Sequence, residues 1–195
     1  MIYIMRHGKT AMDYVKRSDG WLDLPLSDDG RLGLIAAQQH LKLVPLKVIY
    51  APSLKRTQET ADIIKSGVLS DPKIVTDDAA LTWNLGVLAG MSKVYSRPQV
   101  RELMAHPANR PIGGESYAKF ARRYVPWFRG RISSGPKPML IIGSGSNWRL
   151  LGDKLFNDPE ALNLDEGGLA MIQHNKGKWT KHILLGEEDT SHYES

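Results

Sequence analysis

The sequence predicts an α/β protein, a three-layer α/β/α sandwich with a mainly parallel central sheet. Short apolar runs alternate with helical patterns, and several of these runs end at polar turns that contain glycine. The length of 195 residues suits a single domain over residues 1–195. Hydrophobic residues make up 42% of the chain and cysteine is absent. This composition excludes a disordered chain, a disulfide scaffold and thiol chemistry.

The chain opens on a predicted buried strand. Residues 1–5 are apolar and end at a polar loop, which favours a strand of a parallel sheet over a helix. The loop over residues 9–27 is long, and Ser27 or Asp28 is placed to cap the helix that follows. Apolar residues then recur at helical spacing until Pro45 ends the helix. These residues are Leu34, Ala37, Leu41 and Val44.

A second strand-to-helix unit follows. Residues 47–50 form a strand, and Ser53 can cap the next helix, which stops at Gly67. One face of that helix carries Leu54, Thr57, Ala61 and Ile64. Arg56 falls in its first turn, near the end of the strand. A helix N-terminus with an arginine is an anion-binding element.

The middle of the chain predicts less regular structure. Residues 73–75 form a short strand, and residues 76–111 form an insertion that covers the site as a lid, with one helix near residues 99–105. The segment Gly113-Gly114-Glu115-Ser116 then introduces a helix with an aromatic face, kinked or broken near Pro126.

The last third contains a third strand, turn and helix. Residues 138–142 form a strand, residues 143–147 a small-residue turn, and residues 148–156 a helix. Two antiparallel strands, residues 169–174 and 178–185, close the fold. The tail, about residues 186–195, is polar and expected to fray.

Net charge and hydropathy restrict the partners. A net charge of +5 favours anionic ligands, which include phosphorylated metabolites and nucleic acid. The cations are scattered and no nucleic-acid module is present, so we expect no nucleic-acid partner. No apolar run reaches the ~18 residues of a membrane span. We therefore expect no membrane partner and a cytoplasmic location, while the oligomeric state stays open.

Arg6, His7 and Gly8 form the first candidate site because they directly follow the first strand. The carboxyl ends of parallel strands face the ligand crevice in α/β folds. A cation and an imidazole at such an end indicate an anion site, to which Arg56 and the turn at residues 143–147 add further elements on the same edge.

With these motifs in order, the chain resembles the histidine phosphatase superfamily, in its phosphoglycerate-mutase-like branch. Five segments carry the resemblance: Arg6-His7-Gly8-Lys9-Thr10 with residues 20–27 and Gly30; Ala51-Pro52-Ser53-Leu54-Lys55-Arg56-Thr57 with Thr60-Ala61; Gly86 with Gly90; Gly113-Gly114-Glu115-Ser116; and the strand 139–142 with Asn147 and Arg149.

The resemblance implies a phosphoglycerate-mutase-like fold and a phosphohistidine mechanism. His7 would be the nucleophile, and Arg6 and Arg56 would hold the phosphoryl oxygens. It implies neither a metal nor a cofactor. The residues expected around the phosphate are Gly8, Lys9, Thr10, Asp13, Ser144 and Gly145.

Two positions depart from the pattern of this family. The family carries a second histidine where alignment puts Ser144, and an acidic residue where the spacing from Gly86 puts Thr82. A hydroxyl can donate a hydrogen bond, but it supplies no imidazolium and does not protonate a leaving alkoxide. Glu115 is the preferred replacement for the general acid. The other candidates are Asp13, Asp77 and Asp78.

The expected function is phosphomonoester hydrolysis through phospho-His7. The reaction would be slow if no other residue replaces the second histidine and the general acid. The partner would be a small phosphorylated substrate or phosphate, and good leaving groups such as aryl or acyl phosphates would be favoured. The alternative is a catalytically impaired phosphate-binding pseudoenzyme. Phosphoglycerate mutase activity and nucleic-acid binding are weaker alternatives.

Overall fold

A central six-stranded sheet organises the protein, whose computed structural model describes residues 1–187. Its strand order is β3-β2-β4-β1-β5-β6. β1 to β4 pair in parallel, and β5 and β6 join antiparallel at one edge, as expected. The strands are β1 Ile2–Arg6, β2 Val48–Ala51, β3 Lys73–Thr76, β4 Met139–Gly143, β5 Leu164–Asn175 and β6 Lys178–Glu187.

Helices cover both faces of this sheet, which confirms the three layers. The helices are α1 Ala11–Tyr14, α2 Asp28–Leu32, α3 Ile35–Leu41, α4 Lys55–Gly67, α5 Lys93–Ala105, α6 Tyr117–Ser134 and α7 Gly145–Phe156. Alternate strand residues point to opposite faces. Ile4 therefore packs in the core with residues of α6 and α7, whereas the next residue, Met5, packs in a second core with residues of α3 and α4.

The first predicted helix is two helices in the structure, α2 and α3, so the prediction of one continuous helix is wrong. The hydroxyl of Ser27 caps α2 by accepting the backbone N–H of Gly30 at 3.0 Å, as expected. The helix is then interrupted at Gly33 and Leu34, which separate α2 from α3. Val44 lies beyond the end of α3.

The prediction that Ser53 caps α4 is also wrong, although the predicted buried face of this helix is confirmed. Its N-cap residue is Leu54, whose side chain caps nothing, and the Ser53 backbone N–H donates to Asp78. The carboxylate of Asp23 accepts the Lys55 backbone N–H at 2.7 Å, so a distant loop satisfies the helix end. Sequence spacing within the helix could not indicate this contact.

Residues 76–111 contain more regular structure than predicted. Two 3₁₀ turns, Asp78–Ala80 and Gly86–Leu88, precede α5, which begins at Lys93 rather than near residue 99. α6 is continuous through Pro126, so the expected break is wrong. The aromatic face of α6 is buried on both sides of Pro126, and this packing holds the helix together.

Helix α7 and strand β5 begin earlier than predicted, whereas β6 begins at Lys178 as predicted. α7 starts at Gly145 instead of residue 148, because Ser144 and Asn147 form a capping box at its N-terminus. β5 begins at Leu164, and β6 includes Gly186 and Glu187 of the tail that we expected to fray. Residues 188–195 lie outside the described residues. Within residues 1–187, no helix has both the length and the apolarity to cross a membrane.

Candidate active site

The candidate site lies at the carboxyl edge of the parallel strands. Arg6 ends β1, and the His7 backbone N–H continues the pairing of β1 with β4 by donating to Gly143 at 3.0 Å. Ser144 follows β4 directly, and the first turn of α4 brings Arg56 to the same place. These residues line a cavity of about 130 Å³.

The imidazole of His7 is buried and held in one orientation. Its Nδ1 lies 2.9 Å from the Gly8 carbonyl oxygen, and its exposed fraction is 2%. Because a carbonyl only accepts, we assign the ring proton to Nδ1. Nε2 then carries the lone pair, and it accepts the Nε–H of Arg56 at 3.2 Å. This is the tautomer in which Nε2 can act as a nucleophile.

The surroundings keep this imidazole neutral. Burial, together with the charges of Arg56 and Arg6, lowers the pKa of His7 from 6.5 to about 3. At neutral pH the Nε2 lone pair is therefore not blocked by a proton.

The depressed pKa of His7 predicts a pH-dependent stability. Between pH 6.5 and about 3 the unfolded chain binds a proton at His7 that the folded protein does not bind. The free energy of unfolding should therefore fall as the pH falls through this window, by at most about 1.4 kcal/mol per pH unit from this group. Urea denaturation at a series of pH values measures the slope. His7→Asn should flatten it, and an unchanged slope would contradict the assignment.

The two arginines are anchored by the backbone and by one carboxylate. Arg56 is fully buried, and its two terminal nitrogens donate to the carbonyls of Leu22 and Gly20, both at 2.7 Å. Arg6 donates to the Leu164 carbonyl at 2.8 Å and pairs with Glu166. Both guanidinium groups are therefore positioned in advance beside His7.

Two carboxyl groups in the cavity have pKa values that are shifted in opposite directions. Burial raises the pKa of Asp13, but the Thr10 backbone N–H and the charge of Lys93 outweigh it and lower that pKa to about 2. Burial raises the pKa of Asp19 above its usual range. The Asp19 Oδ2 atom lies 4.0 Å from His7 Nε2. The pKa values of the two carboxyl groups are therefore shifted in opposite directions within one cavity.

The N-terminus of α7 forms another wall of the cavity. Ser144, Gly145 and Ser146 line it, and a Cβ atom at Gly145 would lie 3.7 Å from the guanidinium carbon of Arg6. The amino end of a helix carries partial positive charge. Among the described residues, four cationic side chains and two carboxyl groups line the cavity, namely Arg6, Arg17, Arg56 and Lys93 with Asp13 and Asp19. Its charge suits an anion.

Six of the predicted site residues line this cavity, namely Arg6, His7, Arg56, Asp13, Ser144 and Gly145. Gly8, Lys9 and Thr10 do not line it, and their contact with phosphate stays a prediction. Gly8 is required by packing, since a Cβ atom there would lie 2.7 Å from the Gly30 carbonyl oxygen. Lys9 is exposed, and Thr10 caps α1.

Glu115 is not placed to act as the general acid. It is 5% exposed and does not line the cavity. One carboxylate oxygen accepts from Arg123 at 2.6 Å and from the Asn84 backbone N–H at 3.1 Å, and the other oxygen also faces Arg123. The carboxylate of Glu115 is therefore part of a structural ion pair, and the expectation of an acid role is wrong.

Sequence reasoning missed three charged residues of the cavity. Arg17 and Asp19 lie in the long loop after β1, and Lys93 opens α5 within the segment taken as an insertion. Lys93 pairs with Asp13 at 3.2 Å. No spacing rule marks these residues, because each reaches the cavity from an irregular segment. Thr82 also lines the cavity, as its alignment had implied.

The fold and this cavity define an α/β protein with a cationic, histidine-containing site at the carboxyl edge of its sheet. A family model described as histidine phosphatase superfamily (branch 1) matches residues 2–184. The chain belongs to the histidine phosphatase superfamily.

A mutase is among the sequence relatives of the chain, and the solved structures of similar fold include a mutase and a phosphatase. The 2,3-bisphosphoglycerate-dependent phosphoglycerate mutase of Parvibaculum lavamentivorans is 30% identical to this chain over an alignment of 206 positions. The alignment covers 97% of this chain and 98% of the relative. The structure of a phosphoglycerate mutase from Bacillus anthracis matches with a TM-score of 0.80 and 19% identity, covering 94% of this chain and 91% of that chain. A mycobacterial glucosyl-3-phosphoglycerate phosphatase in complex with VO3 matches with a TM-score of 0.75 and 22% identity. The match covers 93% of this chain and 96% of that chain. The two structural matches support the phosphoglycerate-mutase-like fold.

Proposed function

We propose that the protein hydrolyses small phosphomonoesters through a phosphohistidine on His7. One observation carries the proposal: a neutral, buried imidazole presents Nε2 beside a buried arginine in a cationic cavity. Phosphoryl transfer needs a positioned nucleophile and positive charge around the transferred oxygens. The partner is accordingly a small phosphorylated substrate or phosphate, and the proposed chemistry uses no metal, cofactor, nucleic acid or membrane.

The reaction has two steps. In the first step the Nε2 lone pair of His7 forms the N–P bond while the bond from phosphorus to the alcohol oxygen breaks. In the second step a water oxygen attacks phosphorus, and the N–P electrons return to Nε2. Arg6 and Arg56 stabilise the phosphoryl oxygens, and the Gly8 carbonyl accepts Nδ1–H as positive charge develops on the ring.

Asp19 takes the role that the sequence had assigned to Glu115. Its Oδ2 atom lies 4.0 Å from Nε2, within reach of a phosphoryl group bound there, and burial raises its pKa, which is the direction that suits an acid. Protonated Asp19 gives its proton to the departing alkoxide and later, as a carboxylate, takes one from the attacking water. Asp13 is held ionised by its partners and suits an electrostatic role.

The second candidate function is phosphate binding without useful turnover. Ser144 and Thr82 favour it, because both contribute hydroxyls to the cavity where the family pattern has an imidazole and a carboxyl group. Loss of one preorganised charged donor costs about 10²–10³ in rate. The same cationic cavity would still bind phosphate.

Steady-state hydrolysis of p-nitrophenyl phosphate separates these two functions. The purified protein should release p-nitrophenol with saturation kinetics, and inorganic phosphate should inhibit competitively. The pseudoenzyme predicts binding of inorganic phosphate, measured by calorimetry, with no release of p-nitrophenol above the buffer rate. That second result would contradict the proposed hydrolase.

A further inference from the structure

The hydroxyl of Thr10 lies between the two carboxyl groups of the cavity. Its Oγ1 atom is 3.2 Å from Asp13 Oδ2 and 3.1 Å from Asp19 Oδ1, and Thr10 itself is fully buried. The other carboxyl oxygen of Asp19, Oδ2, is the atom that lies 4.0 Å from His7 Nε2. One oxygen of the proposed general acid therefore contacts Thr10, while the other faces the nucleophile.

Capping of α1 explains only part of this arrangement. Thr10 is the N-cap residue of α1, where its Oγ1 accepts the Met12 backbone N–H at 3.2 Å. Its own backbone N–H donates to Asp13 Oδ2 at 2.9 Å. Asp19 lies beyond the end of α1 and takes no part in the cap. The contact of the Thr10 hydroxyl with Asp19 is therefore additional to the cap.

The backbone on both sides of Asp19 is held in place. Before it, the Ser18 carbonyl accepts the Gly90 backbone N–H at 2.7 Å. After it, the Gly20 carbonyl accepts from Arg56, also at 2.7 Å. Hydrogen bonds from two distant segments thus anchor the loop, and the loop holds the Asp19 carboxyl group in the cavity.

The two carboxyl groups compete for the Thr10 hydroxyl. A threonine hydroxyl has one hydrogen to donate, so it serves one carboxyl group at a time. Asp13 has two other donors, the Thr10 backbone N–H and Lys93 Nζ, which lies 3.2 Å from Oδ1. Within residues 1–187, the Thr10 hydroxyl is the one group that donates a hydrogen bond to the Asp19 carboxyl group. Asp19 therefore depends on this hydroxyl more than Asp13 does.

The electrostatic surroundings of Asp19 give the hydroxyl a definite effect. The charged and titratable side chains that face Asp19 come from four elements or loops, namely His7, Asp13, Arg56 and Lys93. Burial raises the pKa of Asp19, and the hydrogen bond from Thr10 acts against that rise. A hydrogen bond donated to a carboxylate stabilises its charged form. The hydroxyl thus makes the ionised form of Asp19 easier to reach.

We propose that Thr10 is a positioning residue whose hydroxyl moves its hydrogen bond between Asp13 and Asp19 as the reaction proceeds. While Asp19 is protonated, the hydroxyl donates to Asp13. Once the departing alkoxide has taken the Asp19 proton, the hydroxyl turns and donates to the new Asp19 carboxylate. In the second step water gives a proton to Asp19 while its oxygen bonds to phosphorus, and the hydroxyl returns to Asp13. This inference rests on the proposed hydrolase, with Asp19 as its acid.

Titration of the Asp19 carboxyl carbon by ¹³C NMR tests the hydrogen bond without any turnover. Thr10→Val removes the hydroxyl and nearly retains the volume, so it should raise the pKa of Asp19 by about one pH unit, a tenfold change in the acid dissociation constant. The pKa of Asp13 should move less, because its two other donors remain. Thr10→Ser keeps the hydroxyl and should restore the wild-type pKa of Asp19. The signal that is lost in Asp19→Asn identifies the resonance.

The pH dependence of hydrolysis tests the role in the reaction. For glycerol phosphate, kcat/KM should decline above the pH at which Asp19 ionises, and Thr10→Val should move this decline upward by the same amount as the pKa. The profile for p-nitrophenyl phosphate should not move, because p-nitrophenolate departs without the acid. Loss of the α1 cap alone would lower kcat/KM for both esters alike and would move neither profile.

Thr57→Val is the matched control for loss of a buried threonine hydroxyl. Thr57 lies in α4, its hydroxyl is 2.7 Å from the Leu54 carbonyl oxygen, and it bonds to neither carboxyl group. This variant should leave the pKa of Asp19 unchanged. If Thr10→Val does not fold, Thr10→Ala removes the same hydroxyl with a smaller side chain and gives the same comparison.

Three results would overturn the proposal. The pKa of Asp19 could stay the same or fall in Thr10→Val, it could move equally in Thr10→Ser, or the pH profiles of the two esters could shift together. If wild-type protein hydrolyses neither ester although the pKa of Asp19 depends on the Thr10 hydroxyl, the hydrolase fails and the hydrogen-bond assignment stands.

Discussion

His7→Ala should lower kcat for p-nitrophenyl phosphate by roughly 10⁴–10⁶-fold, the range reported when a catalytic nucleophile unit is removed. The reason is that the cavity holds one imidazole, within the part of the chain that the structure describes, and no other side chain there offers a neutral nitrogen lone pair. Stopped assays at high enzyme concentration measure the residual rate. Inorganic phosphate should still bind, because Arg6 and Arg56 remain.

Two further variants make this result specific. His7→Asn retains a side-chain amide donor that can satisfy the Gly8 carbonyl but lacks the nucleophile, so it should be as inactive as His7→Ala. His40→Ala removes an exposed histidine on α3 and should be as active as wild type. Activity in either His7 variant within about tenfold of wild type would rule out His7 as the nucleophile.

Asp19→Asn should affect substrates according to their leaving groups. An acid contributes about 10²–10⁴ to the rate when the departing oxygen needs a proton. We therefore expect a loss of that size for an alkyl ester such as glycerol phosphate. The loss for p-nitrophenyl phosphate should be much smaller, because p-nitrophenolate departs without protonation. The ratio of kcat/KM for the two esters, measured in both proteins, gives the result.

Asp13→Asn is the matched control for Asp19→Asn. Asp13 is in the same cavity, but it is held ionised beside Lys93. Its loss should therefore lower kcat/KM for both esters by a similar factor. An equal loss for the two esters in Asp19→Asn would contradict the proposed acid role. It would assign Asp19 to positioning of Arg56 or His7 instead.

The core of the site could be predicted because it follows sheet topology. Parallel strands end at a common edge, and the residue patterns identified β1, β2 and β4. Arg6 and His7 therefore had to lie near Ser144 and near the first turn of the helix after β2, which carries Arg56. These relations depend on local periodicity, and local periodicity is readable from a single sequence.

The remaining residues could not be predicted because they depend on irregular backbone. Asp19 reaches the cavity from a long loop, and Glu166 pairs with Arg6 from the first, irregular part of β5. Glu115 shows the opposite case. Its motif matches the family, but Arg123 in the second turn of α6 lies within hydrogen-bond distance and engages its carboxylate. Such pairing between side chains has no sequence signature.

Ser144 changes in meaning once α7 is known to start at Gly145. A serine alone would supply one weak donor in place of the second histidine of the family pattern. As the residue that caps α7, Ser144 also brings the positive end of a 12-residue helix to the cavity beside Arg6. This helix end offers part of the charge stabilisation that an imidazolium would give.

Trapping of the phosphoenzyme tests the central claim most directly. The protein is mixed with ³²P-labelled phenyl phosphate, quenched in alkali within the first turnover, and digested for mass spectrometry. We predict acid-labile, alkali-stable label on the peptide that contains His7, formed at least as fast as steady-state turnover and absent in His7→Asn. Turnover of the same ester without label on His7, or label that persists in His7→Asn, would contradict the account.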